Sequence, residues 1–309
     1  MLSYVLQRLC HGLLVLWGVS VIVFLLMHLS GDPATVLLPL DTPPEEVEAF
    51  RHKMGLDRPL PIQYLLFVSR MVRGDFGYSY HYRTDALEIV LQRLPATLRL
   101  AAAALSFSLI LALPAGAIAA LKKDSFLDVA VRVLVLIGQA VPGFWLALML
   151  MMLFSVRLRW LPVSGYTGWR SLILPAVTAG SFSMASIARL LRSGLLEVLG
   201  KDYILTARAK GLSSAQVLTR HALKNAAIPA VSMIAIQTGW LLGGSVIAEV
   251  IFAYPGLGYL AVNSIGYRDL PVIQCFVTVM AAMVVVVNLV VDLVYAWLDP
   301  RIRLYQNDH

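Results

Sequence analysis

The side chains that usually carry chemistry are sparse in this sequence and poorly spaced for it. His11, His28, His52, His81, His221 and His309 are scattered rather than clustered as metal ligands, so no metal site is expected. Cys10 and Cys275 are expected most of a bilayer apart, beyond disulfide reach. The nearest approach to a phosphate-binding loop runs from Gly194 to Gly200-Lys201-Asp202. It has the wrong spacing and lacks Ser or Thr after the lysine, so the chain is not expected to hydrolyse ATP by that route. Neither HExxH nor a serine nucleophile elbow occurs, which argues against an integral membrane enzyme. Polar side chains inside apolar runs remain. Gln139, Gln237 and Asn288 either line a solute pathway or hydrogen-bond between helices. Asn288, Asp292, Tyr295 and Asp299 recur at +4, +7 and +11, one helical face. Asp292 is either functional or paired with an arginine of the inner loop.

These residues sit in a chain of 309 with 59% hydrophobic and only 14% charged residues, too apolar for an ordinary soluble domain. Six stretches lack Asp, Glu, Lys and Arg for about the length of a bilayer span, although the fourth is short. Lipid offers backbone amides no partners, so each span must be helical. An all-α polytopic membrane protein follows, with transmembrane helices expected at about 9–30, 97–121, 130–156, 171–191, 226–250 and 270–297. A single transmembrane domain over 1–309 is expected, with an outer loop at 31–96. The first span is too long for a signal-peptide core, and Ser30-Gly31-Asp32-Pro33 is a poor cleavage context, so it is expected to be retained.

Orientation follows from basic residues in the short loops. Twelve (Arg8, Lys122, Lys123, Arg189, Arg192, Lys201, Arg208, Lys210, Arg220, Lys224, Arg301 and Arg303) flank one side, against four on the other (Arg157, Arg159, Arg170 and Arg268). Both termini and the loop 192–225 are therefore expected in the cytoplasm. The net charge of +7 reflects this asymmetry; no basic face interleaved with stacking aromatics points to nucleic acid.

Within the outer loop, Thr42-Pro43-Pro44-Glu45 reads as a helix start, with Thr42 as N-cap and Glu45 closing a capping box. Val47, Phe50 and Met54 follow on one face, and Gly55 is the stop. A second short helix is expected from Pro61, with Ile62, Leu65, Leu66 and Val72 at helical spacing, ending at Gly74. Their apolar faces suit the bundle, the membrane interface or a partner. Pro114 with Gly116, and Pro142 with Gly143, permit kinks; Gly239 and Gly243 form a small-xxx-small pair suited to close helix packing.

The longest polar interruption reads TARAKGLSSAQVLTRHALKNAAIP, residues 206–229. From Asp202 to Lys210 the sequence has good helix formers, an acidic start and a basic end, which complement the helix dipole. Gly211 is the natural left-handed stop. Ser213-Ser214-Ala215-Gln216 then matches a capping box, and Val217, Leu218, His221 and Ala222 give one face leading towards Asn225 and Pro229. The result is helix, elbow, helix. The residues leave two readings open: a basic loop that only fixes topology, which does not itself account for two capped helices meeting at a glycine, and a surface that docks into a partner's groove.

Here the sequence resembles the EAA loop of ABC importer permeases, through Ala207-Arg208-Ala209-Lys210-Gly211 with Asn225 and Ile228-Pro229 downstream. More narrowly it resembles the binding-protein-dependent dipeptide/oligopeptide/nickel permeases, with an outer loop and arginine-bearing start like the first of the two subunits. Residues 55–59, 74–77, 93–97, 142–145, 202–203, 254–258 and 299–303 agree with that pattern in order along nearly the whole chain. Thr206 stands where the wider family has an acidic residue, which removes any glutamate-specific contact.

The resemblance implies a type I importer permease fold in the bacterial inner membrane. It implies a pathway shared with a second homologous permease, one or two cytoplasmic ABC ATPases that bind ATP and Mg, and a periplasmic or lipid-anchored solute-binding protein. This chain itself would carry no cofactor. Coupling would fall to Asp202, Tyr203, Ala207, Ala209, Lys210, Gly211, Leu212, Arg220, Asn225 and Pro229. Contact with the binding protein would fall to Asp75, Phe76, Gly77, Tyr254 and Pro255, whose glycine neighbours otherwise only make turns. Peptides are the expected cargo, with nickel or metal chelates, glutathione and opine-like compounds open. A secondary transporter would need midplane charges and a channel a filter; neither pattern is present in the sequence.

Overall fold

The computed structural model describes residues 2–29, 31–38, 42–213 and 216–298. Five of its helices are long and apolar enough to cross a membrane, and a bent pair makes up to a sixth. The chain divides into two compact units, Met1–Thr97 with Pro255–Leu293 and Leu98–Tyr254 with Val294–His309.

In the first unit, α1 (Leu2–Leu29) is followed by α2 (Pro33–Leu37), α3 (Pro44–Met54) and α4 (Leu60–Val72). A short antiparallel ribbon, β1 (Tyr78–Ser79) with β2 (Thr84–Asp85), leads into α5 (Ala86–Leu121), whose first turns belong here. Helix α12 (Leu257–Gly266) and the span α13 (Leu270–Leu298) return to it after the second unit. Helices α1 and α13 run antiparallel. A Cβ on Gly12 would lie 2.6 Å from Val285 Cγ1, and Arg8 Nε sits 3.0 Å from the Asp292 carboxylate. Asp292 is thus paired with an arginine of α1 rather than of the basic loop.

The two helices expected in the loop 31–96 start one residue off the expected places. Pro43 rather than Thr42 holds the N-cap of α3 and makes no side-chain cap bond, because its ring carries no acceptor, and Pro44 occupies the first helical position. Gly55 ends the helix at φ +68°, as its position predicts. On α4 the inward face carries Gln63 and Phe67, whereas Ile62, Leu65 and Val72 stay exposed. Gln63 wins the inner position through hydrogen bonds: its Nε2 donates to the Leu56 and Arg58 carbonyls, and its Oε1 meets His28 Nε2 at 2.9 Å. The exposed apolar residues suit a lipid interface.

The second unit is organised around α8 (Arg170–Leu199), preceded by α6 (Phe126–Ala140) and α7 (Gly143–Leu150) and followed by α9 (Asp202–Ala209). Next come α10 (Leu223–Gly244) and α11 (Val246–Ile251). Helices α6 and α7 meet at 105°, so the proline-glycine step after Val141 produces a full break rather than a kink. Two further segments, Met151–Arg157 and Val217–Ala222, are wound as π-helix. Helix α8 fits against α5 because glycines remove the intervening side chains. A Cβ on Gly180 would lie 2.6 Å from the Ala104 carbonyl oxygen, and one on Gly116 2.8 Å from that of Ala188. Ser108 Oγ donates to the Gly180 carbonyl at 2.7 Å, adding the interhelical hydrogen bond that lipid favours. Arg192 then reaches the fully buried Asp128 with two bonds of 2.7 and 2.8 Å. By contrast, among the described residues nothing lies within 4 Å of a Cβ on Gly243, so this half of the expected small-residue pair makes no close approach to them.

Gly180→Val is expected to cost about 1–3 kcal/mol through overpacking against a backbone oxygen that cannot yield. Gly243→Ala should be neutral or stabilising by up to about 1 kcal/mol through helix propensity. Thermal unfolding of the detergent-purified protein checks the contrast.

Candidate functional site

The elbow is built from α9 and the start of the following helix. Helix α9 opens at Asp202, whose carbonyl accepts from Thr206 Oγ1 at 3.1 Å. It closes through bonds from Lys210 N–H to the Thr206 carbonyl (3.1 Å) and from Leu212 N–H to that of Ala207 (3.4 Å). Gly211 takes φ +82°, with open space where a Cβ would point. Backbone conformation alone, not crowding, therefore asks for glycine here. Ser213 and Gln216 form the reciprocal capping box: Ser213 N–H donates to Gln216 Oε1 at 2.9 Å, and Gln216 N–H donates to Ser213 Oγ at 3.3 Å. Residues 214–215 between them lie outside the described residues. The second helix is not a separate piece. It passes through the π-turn directly into α10.

One side of the elbow is fixed. Ile204, Ala207, Val217 and Ala222 are buried in a cluster with Leu191 and Leu195 of α8, Ala120 of α5 and Ala226 of α10. Gly194 lets α10 approach, since a Cβ there would sit 3.1 Å from the Ala226 carbonyl oxygen. Ala207 is 7% exposed and faces this cluster, so its small size serves packing inside the chain. Leu212 is half-buried beside it. The opposite side presents Asp202, Tyr203, Ala209, Lys210, Gly211 and Arg220 to the surface. Tyr203 is 42% exposed, and Leu205, which sequence reasoning did not single out, is 57% exposed. Leu205 was readable as an apolar residue out of phase with Ile204 and Ala207. The side chains of Arg208, Asn225 and Pro229 lie outside the described residues, as does the segment 299–303.

The remaining candidates divide between the two units. Asp75 is exposed at a turn where its Oδ1 accepts from Gly77 N–H at 3.1 Å, Gly77 has φ +95°, and Phe76 is half-buried. Tyr254, expected at the outer contact, is fully buried. Its ring meets Tyr166 edge-on at 5.7 Å, and burial raises its phenol pKa. Its side chain cannot touch a docking protein in this conformation, whereas Pro255 next to it is half-buried. Gln139 bridges helices: its Nε2 donates to Ser186 Oγ at 3.3 Å, and its Oε1 accepts from Arg189 at 3.2 Å. Gln237 is 3% exposed and lines a cavity of about 260 Å³. Asn288 is exposed on α13, in the other unit.

Replacing Ser213 or Gln216 by alanine should weaken the start of the second helix by about 1 kcal/mol. The expected readout is roughly five-fold faster amide hydrogen exchange over residues 216–222, with little change in α8.

Comparison with known proteins follows this geometry. Residues 112–304 match the family described as binding-protein-dependent transport system inner membrane component, and residues 1–101 match its N-terminal companion. The glutathione transport system permease protein GsiC of Escherichia coli (strain K12) is 40% identical over 304 residues, covering 98% of this chain and 99% of that protein. GsiC of Shigella dysenteriae serotype 1 matches with the same figures. Among solved structures, an inward-facing MetNI methionine ABC transporter aligns with TM-score 0.59 at 18% identity, covering 69% of this chain and 97% of its own. An amino acid ABC transporter with histidines aligns at 0.56 and 15%, covering 67% and 93%. Both share the fold.

Proposed function

The chain belongs to the binding-protein-dependent transport family of inner-membrane components, as a permease subunit of an ABC importer, and from that premise we propose how it is coupled and what it carries. The elbow at Gly211 seats in a groove of a cytoplasmic ATPase, with both termini of the chain on the same side. The ATPase binds ATP and Mg, and this chain binds neither. A second, homologous permease completes the pathway, and a solute-binding protein delivers cargo from the opposite side. This chain is the first of the two permeases. Its cargo is glutathione or a short peptide, supported by 40% identity along nearly the whole chain to permeases named for glutathione.

The observation that carries the coupling assignment is the two-sided elbow. Its inner face is locked to α8 by Ile204 and Ala207, while Tyr203 and Leu205 remain at the surface beside Lys210. Fully burying one leucine is worth about 1.5–3 kcal/mol, so an apolar pair held on a rigid helix suits a protein groove. A loop that only fixes topology would have no use for the pair.

The test is co-purification and solute-stimulated ATP hydrolysis in a complete transporter reconstituted in vesicles. Tyr203→Asp with Leu205→Asp should lower ATPase retention at least ten-fold while membrane insertion is unchanged. Gly211→Val, which strains the left-handed position, should uncouple hydrolysis from uptake, and Gly211→Asn should retain most of it. Normal uptake by the double variant would falsify the docking assignment. Glutathione and a dipeptide tested in parallel separate the two cargoes.

A further inference from the structure

The loop that leaves the π-wound segment Met151–Arg157 and enters α8 carries charge of one sign only. It brings Arg157, Arg159 and Arg170 together, and the sequence has no Asp or Glu between Asp128 and Glu197. All three arginines are exposed, and none forms an ion pair among the described residues. Arg99, on the part of α5 that belongs to the same unit, joins them: its guanidinium lies 5.9 Å from the centroid of the Tyr166 ring. Arg170 lies 5.8 Å from that of Trp169. Glu249, whose charge acts on the neighbouring Tyr254, is fully buried and accepts from Ser245 Oγ at 3.3 Å, so it offers no counter-charge at the surface.

The apolar side chains between these arginines are uncovered. Trp160 is 65% and Trp169 70% exposed, and Leu158, Val163 and Tyr166 are exposed as well. The loop is nonetheless held in one shape. Trp160 N–H donates to the Phe154 carbonyl at 2.9 Å, Gly165 N–H to the Phe252 carbonyl at 2.8 Å, and Ser155 Oγ to the Pro162 carbonyl at 3.0 Å. Leu161 packs on the cluster of Ala147, Leu174 and Phe252. Within this frame Arg159 takes φ +54°, a left-handed conformation that is strained for any side chain but glycine's. A basic linker with no task would relax out of it. This one fixes an arginine between two exposed apolar neighbours.

Depth and charge decide the occupant. Gly143–Arg157 is part of the bent pair that is apolar enough to span, so the loop starts where hydrocarbon gives way to headgroups. Tryptophan and tyrosine rings sit at that level, and arginines at span ends reach towards it. A cluster of arginines beside a span is drawn to anionic headgroups, and the planar guanidinium matches phosphate oxygens. The elbow, by contrast, mixes Asp202 with Lys210 and Arg220, the pattern of a protein contact. We propose that the loop 157–170 is a binding site for an anionic phospholipid, whose phosphate lies among the arginines and whose upper acyl chain lies against the exposed tryptophans. The assignment goes beyond the importer reading and uses no residue of the elbow.

The test reads lipid binding, not uptake. The complete transporter is placed in phosphatidylcholine nanodiscs that contain brominated phosphatidylglycerol or brominated phosphatidylcholine at equal mole fraction. Quenching of tryptophan fluorescence reports contact, and the double variant Trp160→Phe with Trp169→Phe identifies the loop's share of it. Phosphatidylglycerol should be preferred about five-fold or more, and raised salt should weaken the preference. Arg157→Gln, Arg159→Gln and Arg170→Gln together should bring the two lipids to equal quenching. Arg159→Gln alone, made alongside in case the triple variant misfolds, should remove about half of the preference. Equal quenching in the unaltered protein, which marks ordinary interfacial anchoring, overturns the site, as does a preference that both variants leave intact. Loss of the preference to millimolar inorganic phosphate would show a free-anion site and overturn the lipid assignment. So would a triple variant that loses a solute-binding protein with no change in lipid preference, which would make the loop a protein contact.

Discussion

The second unit depends on two missing side chains. Helix α8 lies against α5 at a distance that only glycine allows, with Gly180 facing the Ala104 carbonyl and Gly116 facing that of Ala188. In lipid no water-driven force pushes apolar helices together, so association rests on close packing and interhelical hydrogen bonds. Once α8 is seated, the remaining contacts follow from its register. Arg192 comes over Asp128 of α6, Gln139 reaches Ser186, and Leu191 with Leu195 forms the floor under the elbow. A buried ion pair alone is weak evidence of stability. Here it completes an arrangement that packing has already set.

The same logic explains the distribution of apolar surface. Leu13, Leu14 and Trp17 on α1 are exposed, and so are Leu134 and Leu136 on α6. In a soluble protein these would be liabilities; in a membrane permease they suit the hydrocarbon of the bilayer. The elbow differs because its exposed apolar residues stand among Asp202, Lys210 and Arg220, a setting suited to a protein partner rather than to acyl chains.

The spans were legible because hydrocarbon tolerates few charges, and that constraint is written directly into composition. Their ends were less legible for a reason the structure supplies. Helix α8 continues through Arg189 and Arg192 to Leu199, because both arginines find partners and so do not mark a boundary. Helix α5 begins at Ala86, since Glu88 and Arg93 lie in turns that precede the uncharged run. The elbow could be read almost residue by residue, because capping boxes and left-handed glycines are local devices. Burial that depends on distant chain was not readable. Ala207 faces inward, Tyr254 is enclosed beside Tyr166, and the apolar stripe of α4 faces outward because Gln63 holds the inner side.

The winding at Val217–Ala222 has a mechanical consequence. A π-turn accommodates about one residue more than an α-turn, and one residue corresponds to about 100° of helical rotation. Were this turn to relax to ordinary α-helix while the elbow stayed clamped, the downstream part of α10 would swing in phase by that amount. Gln237 and Trp240 would then sweep to a different azimuth. The six residues next to the elbow thus set the azimuth at which α10 presents Gln237 and Trp240.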